Sequence, residues 1–211
     1  ERQSKELWAH VLSPDNPHKK AIVEQVVSHA LPDSKNVEEV STTVQAFMSA
    51  DLPNELISLL EKIVLHNSEF GQYKKLQNLL IITAIKADKT KVMDYINRLD
   101  NYDAPEIATI ALGEPFCLYE EAFVIYKKKN YNVEAIDVLL NNIESIPRAL
   151  DFAEKTNEVG VWSKLGNAYL EKYHVVEAID CYIKAGDHTT YGQVIGAAEN
   201  EGVYDNLIKY L

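Results

Sequence analysis

Apolar residues recur three and four positions apart along nearly the whole chain, and that spacing leaves it little to fold into besides helices. In 175–186 they fall at Val175, Ala178, Ile179, Tyr182 and Ile183, one face of a helix. Val23, Val26, Val27 and Ala30 repeat the spacing, as do Leu56, Leu59, Leu60 and Ile63. It returns in Ile136, Leu139, Leu140 and Ile143, and again in Ile146, Ala149, Leu150 and Ala153. No convincing stretch alternates strictly, as a half-buried strand would. With 8 glycines and 7 prolines in 211 residues, the chain is also poor in the residues a turn-rich β protein needs. An all-α fold is expected.

Punctuation between the apolar runs predicts about fourteen helices, over 1–12, 17–31, 36–50, 52–67, 71–87, 89–99, 103–112, 116–129, 132–143, 146–156, 158–172, 174–185, 188–200 and 203–211. Asn16 before Pro17, and Asp51 shortly before Pro53, read as N-caps followed by a proline whose missing N–H costs nothing in a first turn. Asp103-Ala104-Pro105-Glu106 adds a glutamate three residues after the capping aspartate, the spacing of a capping box. Pro32 should stop the second helix, because proline disfavours helical geometry at Leu31. The short connections should make consecutive helices antiparallel neighbours.

A degenerate repeat overlies this pattern. Glu121-Ala122-Phe123, Glu134-Ala135-Ile136 and Glu177-Ala178-Ile179 share a Glu-Ala-apolar core near a helix start, and Arg148-Ala149-Leu150 is a looser copy. The alanines step by 13, 14 and 29 residues, and a further 29 leads to Leu207. One helix with its turn takes about 14 residues and a hairpin about 28, so hairpins that each bury one face must stack on their neighbours. The expected architecture is a right-handed, zigzag α-solenoid of short antiparallel hairpins, one continuous segment over 1–211 with the shape of an elongated rod. Seven hairpins at roughly 10 Å each would make a rod of about 70–80 Å, with a radius of gyration near 25 Å. A compact globule of this length would have about 17 Å. Small-angle scattering separates the two, and a value near 17 Å would exclude the rod.

Chemistry is absent from the pattern. The histidines (His10, His18, His29, His66, His174, His188) form no pair at helical spacing, and no zinc motif is present. Glu38-Glu39, Glu120-Glu121 and Glu199/Glu201 read as solvated helix surface, since adjacent helical positions point about 100° apart. Gly192 and Gly196 form a GxxxG that follows no strand. Lys127-Lys128-Lys129 suits a helix C-terminus, where positive charge is favourable. A net charge of −11 works against binding nucleic acid or an anionic membrane, and no apolar run approaches 18 residues. Cys117 and Cys181 each fall in a helical pattern and are expected to pack as free thiols, which suits a reducing compartment such as the cytosol. Of the 12 tyrosines, Tyr119, Tyr126 and Tyr182 are placed on inward helix faces. No catalytic, cofactor-binding or metal-binding residue is assigned, and the chain is not expected to be an enzyme. Because it opens at Glu1-Arg2-Gln3 without Met or a signal-peptide core, it reads as an internal fragment of something longer.

Several long strings are nevertheless specific. The segment 46–57 (Ala46-Phe47-Met48-Ser49-Ala50-Asp51-Leu52-Pro53 through Ile57) resembles the leg of the clathrin heavy chain, as do 76–88, 92–105, Glu120-Glu121-Ala122-Phe123 and 178–185. The likeness covers the whole chain, with Gly113–Leu118 about two residues longer than the usual connection. It implies a leg segment from the distal leg to the start of the proximal leg, built of heavy-chain repeats. Such legs pack along one another as struts of the lattice that coats endocytic and Golgi-derived vesicles. The implied partners are other heavy-chain legs, in a full-length chain that is trimeric, with the clathrin light chain a further candidate. The implied location is cytoplasmic, on coated pits and vesicles, without membrane insertion. The alternative is an adaptor or scaffold solenoid of the tetratricopeptide or clathrin-repeat kind, as in a vesicle-tethering complex. An adaptor of that kind should cluster Asn, Lys or Arg at matching repeat positions, and none cluster there.

Overall fold

A computed structural model of the chain describes residues 5–13, 15–26, 28, 36–66 and 70–211. Fourteen α-helices and no strand occur among the described residues. They are α1 (Lys5–Val11), α2 (Lys19–Gln25), α3 (Val37–Ser49), α4 (Pro53–Glu61), α5 (Lys74–Ala87), α6 (Val92–Arg98) and α7 (Ala104–Leu112). After these come α8 (Tyr119–Lys128), α9 (Asn132–Asn141), α10 (Ile146–Thr156), α11 (Val159–Glu171), α12 (Val175–Ala185), α13 (Tyr191–Glu201) and α14 (Tyr204–Tyr210). A π-helical turn at Lys62–His66 prolongs α4, and a 3-10 turn at Lys89–Lys91 leads into α6. The expected stop at Leu31-Pro32 lies outside the described residues, as do Val27, His29 and Ala30.

Two expected caps are corrected by local hydrogen bonds. Asn16 accepts from the His18 N–H at 3.0 Å and donates to the Val11 carbonyl at 2.8 Å. Asn16 and Pro17 therefore build the turn joining α1 to α2, and α2 starts only at Lys19. Asp51 ends α3 rather than opening α4. It stands at φ +51°, its N–H returns to Met48 at 3.3 Å, and the Leu52 N–H returns to Phe47 at 3.3 Å. That is the left-handed stop of a Schellman motif, in which aspartate is tolerated more readily than most side chains. Asp103 does cap α7, accepting from the Glu106 N–H at 3.3 Å. The return half of the box comes from Asn78 of α5, which accepts from the Asp103 N–H at 2.8 Å and donates to Glu106 at 3.1 Å.

By its contacts the chain divides into two units, residues 1–110 and 111–211, with the division inside α7. In the first, contacts run from α1 to α3, α3 to α4, α4 to α5 and α5 to α6. The stripe Leu56, Leu59, Leu60, Ile63 is buried as expected, against a core that includes Phe47, Leu80, Ile81, Ile85, Tyr95 and Ile96. In the second unit the contacts again join consecutive or next-but-one helices, such as α9 with α10 and α11, and α12 with α13 and α14. Contacts confined to near neighbours are what a stack of hairpins requires.

The repeat alanines Ala122, Ala135, Ala149 and Ala178 are all fully buried. Ala178 sits in a cluster with Val175, Ile179, Tyr182, Val194, Ala198, Leu207 and Tyr210. Ala178→Leu should therefore overpack the junction of α12 with α13 and α14 and cost about 1–3 kcal/mol. A urea midpoint unchanged by that substitution would place Ala178 on an outer face. The expected stripe fails at one position: Ile183 is 42% exposed, while Cys181 and Ala185 are buried. The helix packs on α11 as well as on α13 and α14, so its buried surface is wider than one stripe and continues to Ala185.

Candidate functional site

Polar cross-links between helices recur at close to one repeat period. In the first unit, Lys74 donates to Asp103 at 2.7 Å, the Asn101 side chain to the Gln72 carbonyl at 2.6 Å, and the Asn101 N–H to Gln77 at 2.8 Å. Glu61 accepts from Lys91 at 3.2 Å and from the Tyr95 hydroxyl at 2.5 Å. In the second unit, Arg148 holds Glu120 through two bonds of 2.6 and 2.8 Å. Asn132 donates to Glu158 at 2.7 Å, Lys164 to Asp137 at 2.9 Å, and Ser163 to Asp187 at 2.6 Å. Tyr95 and Glu61 are 34 positions apart; the other pairs are separated by 24 to 30. Each such bond ties one hairpin to the next.

This ladder accounts for the irregular repeat copy. Arg148 occupies the place of the repeat glutamate, and a glutamate there would face Glu120 across α8 and α10. Glu120 is thus half of an ion pair, although the sequence pattern placed it on a solvated face. The signal that could have found it is the acid-to-base change at a separation of 28. Both partners are about half exposed, so the pair contributes about 0–1 kcal/mol and serves mainly to fix register.

Between α8, α9 and α10 the same region opens into a cleft of about 440 Å³. Phe123 and Phe152 meet there edge to face at 5.6 Å, beside the fully buried Leu139. Lys127 Nζ lies 5.8 Å and the Arg148 guanidinium 5.6 Å from the centre of the Phe123 ring. Lys155 pairs with Asp151 at 2.6 Å along one side.

The remaining expected residues are dispersed. Cys181 is buried in α12, but Cys117 is exposed, which corrects the expectation of a packed thiol. Helix α8 begins at Tyr119, and Cys117 stands at φ +52° in the preceding turn, where the N–H groups of Phe116 and Cys117 return to Gly113. His174 lies against Tyr169 and His188 against Tyr210. Among the described residues no three His, Cys, Asp or Glu side chains gather into a metal-holding group. No helix among the described residues is long and apolar enough to cross a membrane. Tyr126 and Tyr182 are buried as expected, Tyr119 is partly so, and Tyr95, Tyr102 and Tyr210 join them.

Burial dominates the electrostatics. It pushes the Cys181 thiol and the Tyr102 hydroxyl up to about 12, and raises Tyr95, whose hydroxyl also faces the Glu61 carboxylate. Raised values mean that the fold favours the neutral forms. Their contribution is complete below the ordinary values near 9 and 10 and is lost as pH rises towards 12. The thermal midpoint should therefore fall steeply above about pH 9–10. On the acid side, Arg148 lowers Glu120, and Ser163 with Thr189 lowers Asp187. Those contributions are present above the usual carboxylate range and disappear as pH falls through it, a smaller loss because Glu120 is exposed and Asp187 partly so. Circular dichroism melts across pH check both limbs.

Comparison with known proteins bears directly on this ladder of hairpins. A family model described as "Region in Clathrin and VPS" matches residues 31–177. The clathrin heavy chain of Dictyostelium discoideum is 56% identical over 211 residues, all of this chain and 12% of the relative. The Drosophila melanogaster clathrin heavy chain is 53% identical over 210 residues, and the human clathrin heavy chain 2 is 52% identical over 210. The chain spans about 12–13% of the length of these curated relatives. The helical hairpins, their repeat period and an identity above one half from end to end all agree, and the chain belongs to the clathrin heavy chain family.

Proposed function

We propose that this chain is a strut segment of a clathrin coat leg, whose work is to hold successive hairpins in fixed register while legs pack into a lattice. The observation that carries the proposal is the set of inter-hairpin bonds, such as Glu120–Arg148 and Asp137–Lys164, in a chain that matches clathrin heavy chains along its whole length. Its partners would be other heavy-chain legs of a trimeric full-length protein, with the light chain a further candidate. Its place would be the cytoplasmic face of coated pits and vesicles. The role is structural and assigns no catalytic, cofactor or metal residue. It includes one continuous solenoid over 1–211, which the scattering measurement tests. Identity above one half, along this whole chain, to a segment of clathrin heavy chains favours a coat strut over a tethering or adaptor solenoid.

A full-length heavy chain containing this segment should assemble into closed cages at mildly acidic pH, seen by electron microscopy. A chain that stays dispersed would overturn the proposal. Single leg contacts in a reversible lattice should be weak and gain strength by number. The isolated 211-residue chain should accordingly sediment as a monomer at micromolar concentration.

A further inference from the structure

We propose that the outward apolar side of α14 is the seat of one further helical hairpin, supplied by the residues that follow Leu211 in a full-length heavy chain. Tyr204 and Ile208 are 55% and 72% exposed. Leu211, whose N–H carries the helical bonding on to the Leu207 carbonyl at 3.1 Å, is 73% exposed. These three stand four and three positions apart, so they share one side of the helix. Leu207 and Tyr210, on the adjoining side, are already buried in a cluster with residues of α12 and α13. Asp205 and Lys209 take the rest of the surface. Helix α14 therefore carries more apolar surface than its present neighbours cover.

The repeat identifies the occupant. Ala122, Ala149, Ala178 and Leu207 hold one repeat position, and Tyr204, Ile208 and Leu211 lie three before, one after and four after it. On α12 those places are Val175, Ile179 and Tyr182, all buried. They share their cluster with Val194 and Ala198 of α13 and with Leu207 and Tyr210 of α14, the hairpin that follows. On α10 the places are Ile146, Leu150 and Ala153, and on α8 Tyr119, Phe123 and Tyr126, all apolar and all at least partly buried. Of these four helices α14 alone has no later hairpin against it, and it alone leaves the three places exposed. The chain spans about 12–13% of the length of its curated relatives, so a full-length heavy chain has residues to supply the cover. The inference rests on the strut reading above and adds the face through which the stack continues.

Hydrogen exchange read by mass spectrometry on dispersed, unassembled full-length heavy chain tests the cover separately from cage formation. Amides of 204–211 should exchange about tenfold more slowly there than in the isolated 211-residue chain. In the full-length chain Ile208→Asp should speed that exchange about tenfold, while Lys209→Gln, on the polar side, should leave it unchanged. In the isolated chain Ile208→Asp should leave the thermal midpoint where it was, because the side chain is exposed there. A lowered midpoint would mean that Ile208 is covered from within the 211 residues, and would overturn the proposal. Equal exchange in the two chains, or indifference to Ile208→Asp, would overturn it as well. So would protection that arises only once cages form, since a neighbouring leg would then be the cover, or a dimer of the isolated chain that Ile208→Asp abolishes, since the cover would be a second copy. If exchange fails in any of these ways while cages still assemble, the strut reading stands and the seat on α14 alone is lost.

Discussion

Gly166→Leu is expected to destabilise the second unit by about 3 kcal/mol, because no side chain fits where α11 meets α12. A Cβ at Gly166 would stand 2.9 Å from Tyr182 Cε1, closer than real Cβ atoms come, and 3.1 Å from Cζ, a tight contact as well. The ring has no room to yield. Tyr182 is fully buried, its hydroxyl donates to Asn167 at 2.6 Å, and its ring meets the tilted Tyr210 ring at 6.1 Å. Gly166→Ala separates two opposing effects. Alanine improves helix propensity by about 1 kcal/mol, yet its methyl group is the atom that clashes. Urea denaturation should rank glycine above alanine and alanine above leucine. A leucine variant as stable as the parent would mean that α11 and α12 sit further apart than this contact requires.

Gly166 also marks where the sequence stops being legible. Helix existence and type could be read because a period of three to four residues is a local signal, and the stripe Leu56, Leu59, Leu60, Ile63 carries it in eight positions. The buried alanines were legible for the same reason, repeated at a fixed step. What could not be read depends on residues about 28 positions apart. Asn78 completes a capping box whose other members are Asp103 and Glu106, and no rule confined to one helix start can supply it. Glu120 looked like solvated surface until α10 brought Arg148 beside it. Asp51 was misplaced because aspartate serves equally as an N-cap and, at φ +51°, as the stop of the preceding helix; the hydrogen bonds decide which. Cys117 and Ile183 each follow a helical spacing, but one precedes its helix and the other turns outward. The cleft is the extreme case, assembled from three helices with no shared motif.

The other large effect lies in the first unit, at the only cross-link that joins a fully enclosed aromatic ring to a carboxylate among those described above. Tyr95 is 1% exposed, and its hydroxyl donates to Glu61 at 2.5 Å while Lys91 donates to the same oxygen at 3.2 Å. Tyr95→Ala removes the ring from a packed core and should cost about 3–5 kcal/mol. Tyr95→Phe keeps the ring and deletes one charge-assisted hydrogen bond, so about 1–2 kcal/mol should be lost. Glu61 is partly exposed and keeps Lys91, which limits the penalty of leaving its oxygen without the hydroxyl. The two variants therefore divide packing from hydrogen bonding at one position, and a cycle with Glu61→Gln isolates the bond itself. A second measurement follows from the raised pKa of Tyr95. In the parent, alkaline pH must strip a proton from a hydroxyl that burial and Glu61 both keep neutral, so stability falls as pH rises above the ordinary value near 10. Phenylalanine has no proton to lose, and Tyr95→Phe should show a shallower alkaline decline despite its lower stability at neutral pH. An unchanged slope would assign that decline to Tyr102 and Cys181, and would remove the Glu61 contact from the account of what holds α4 to α6.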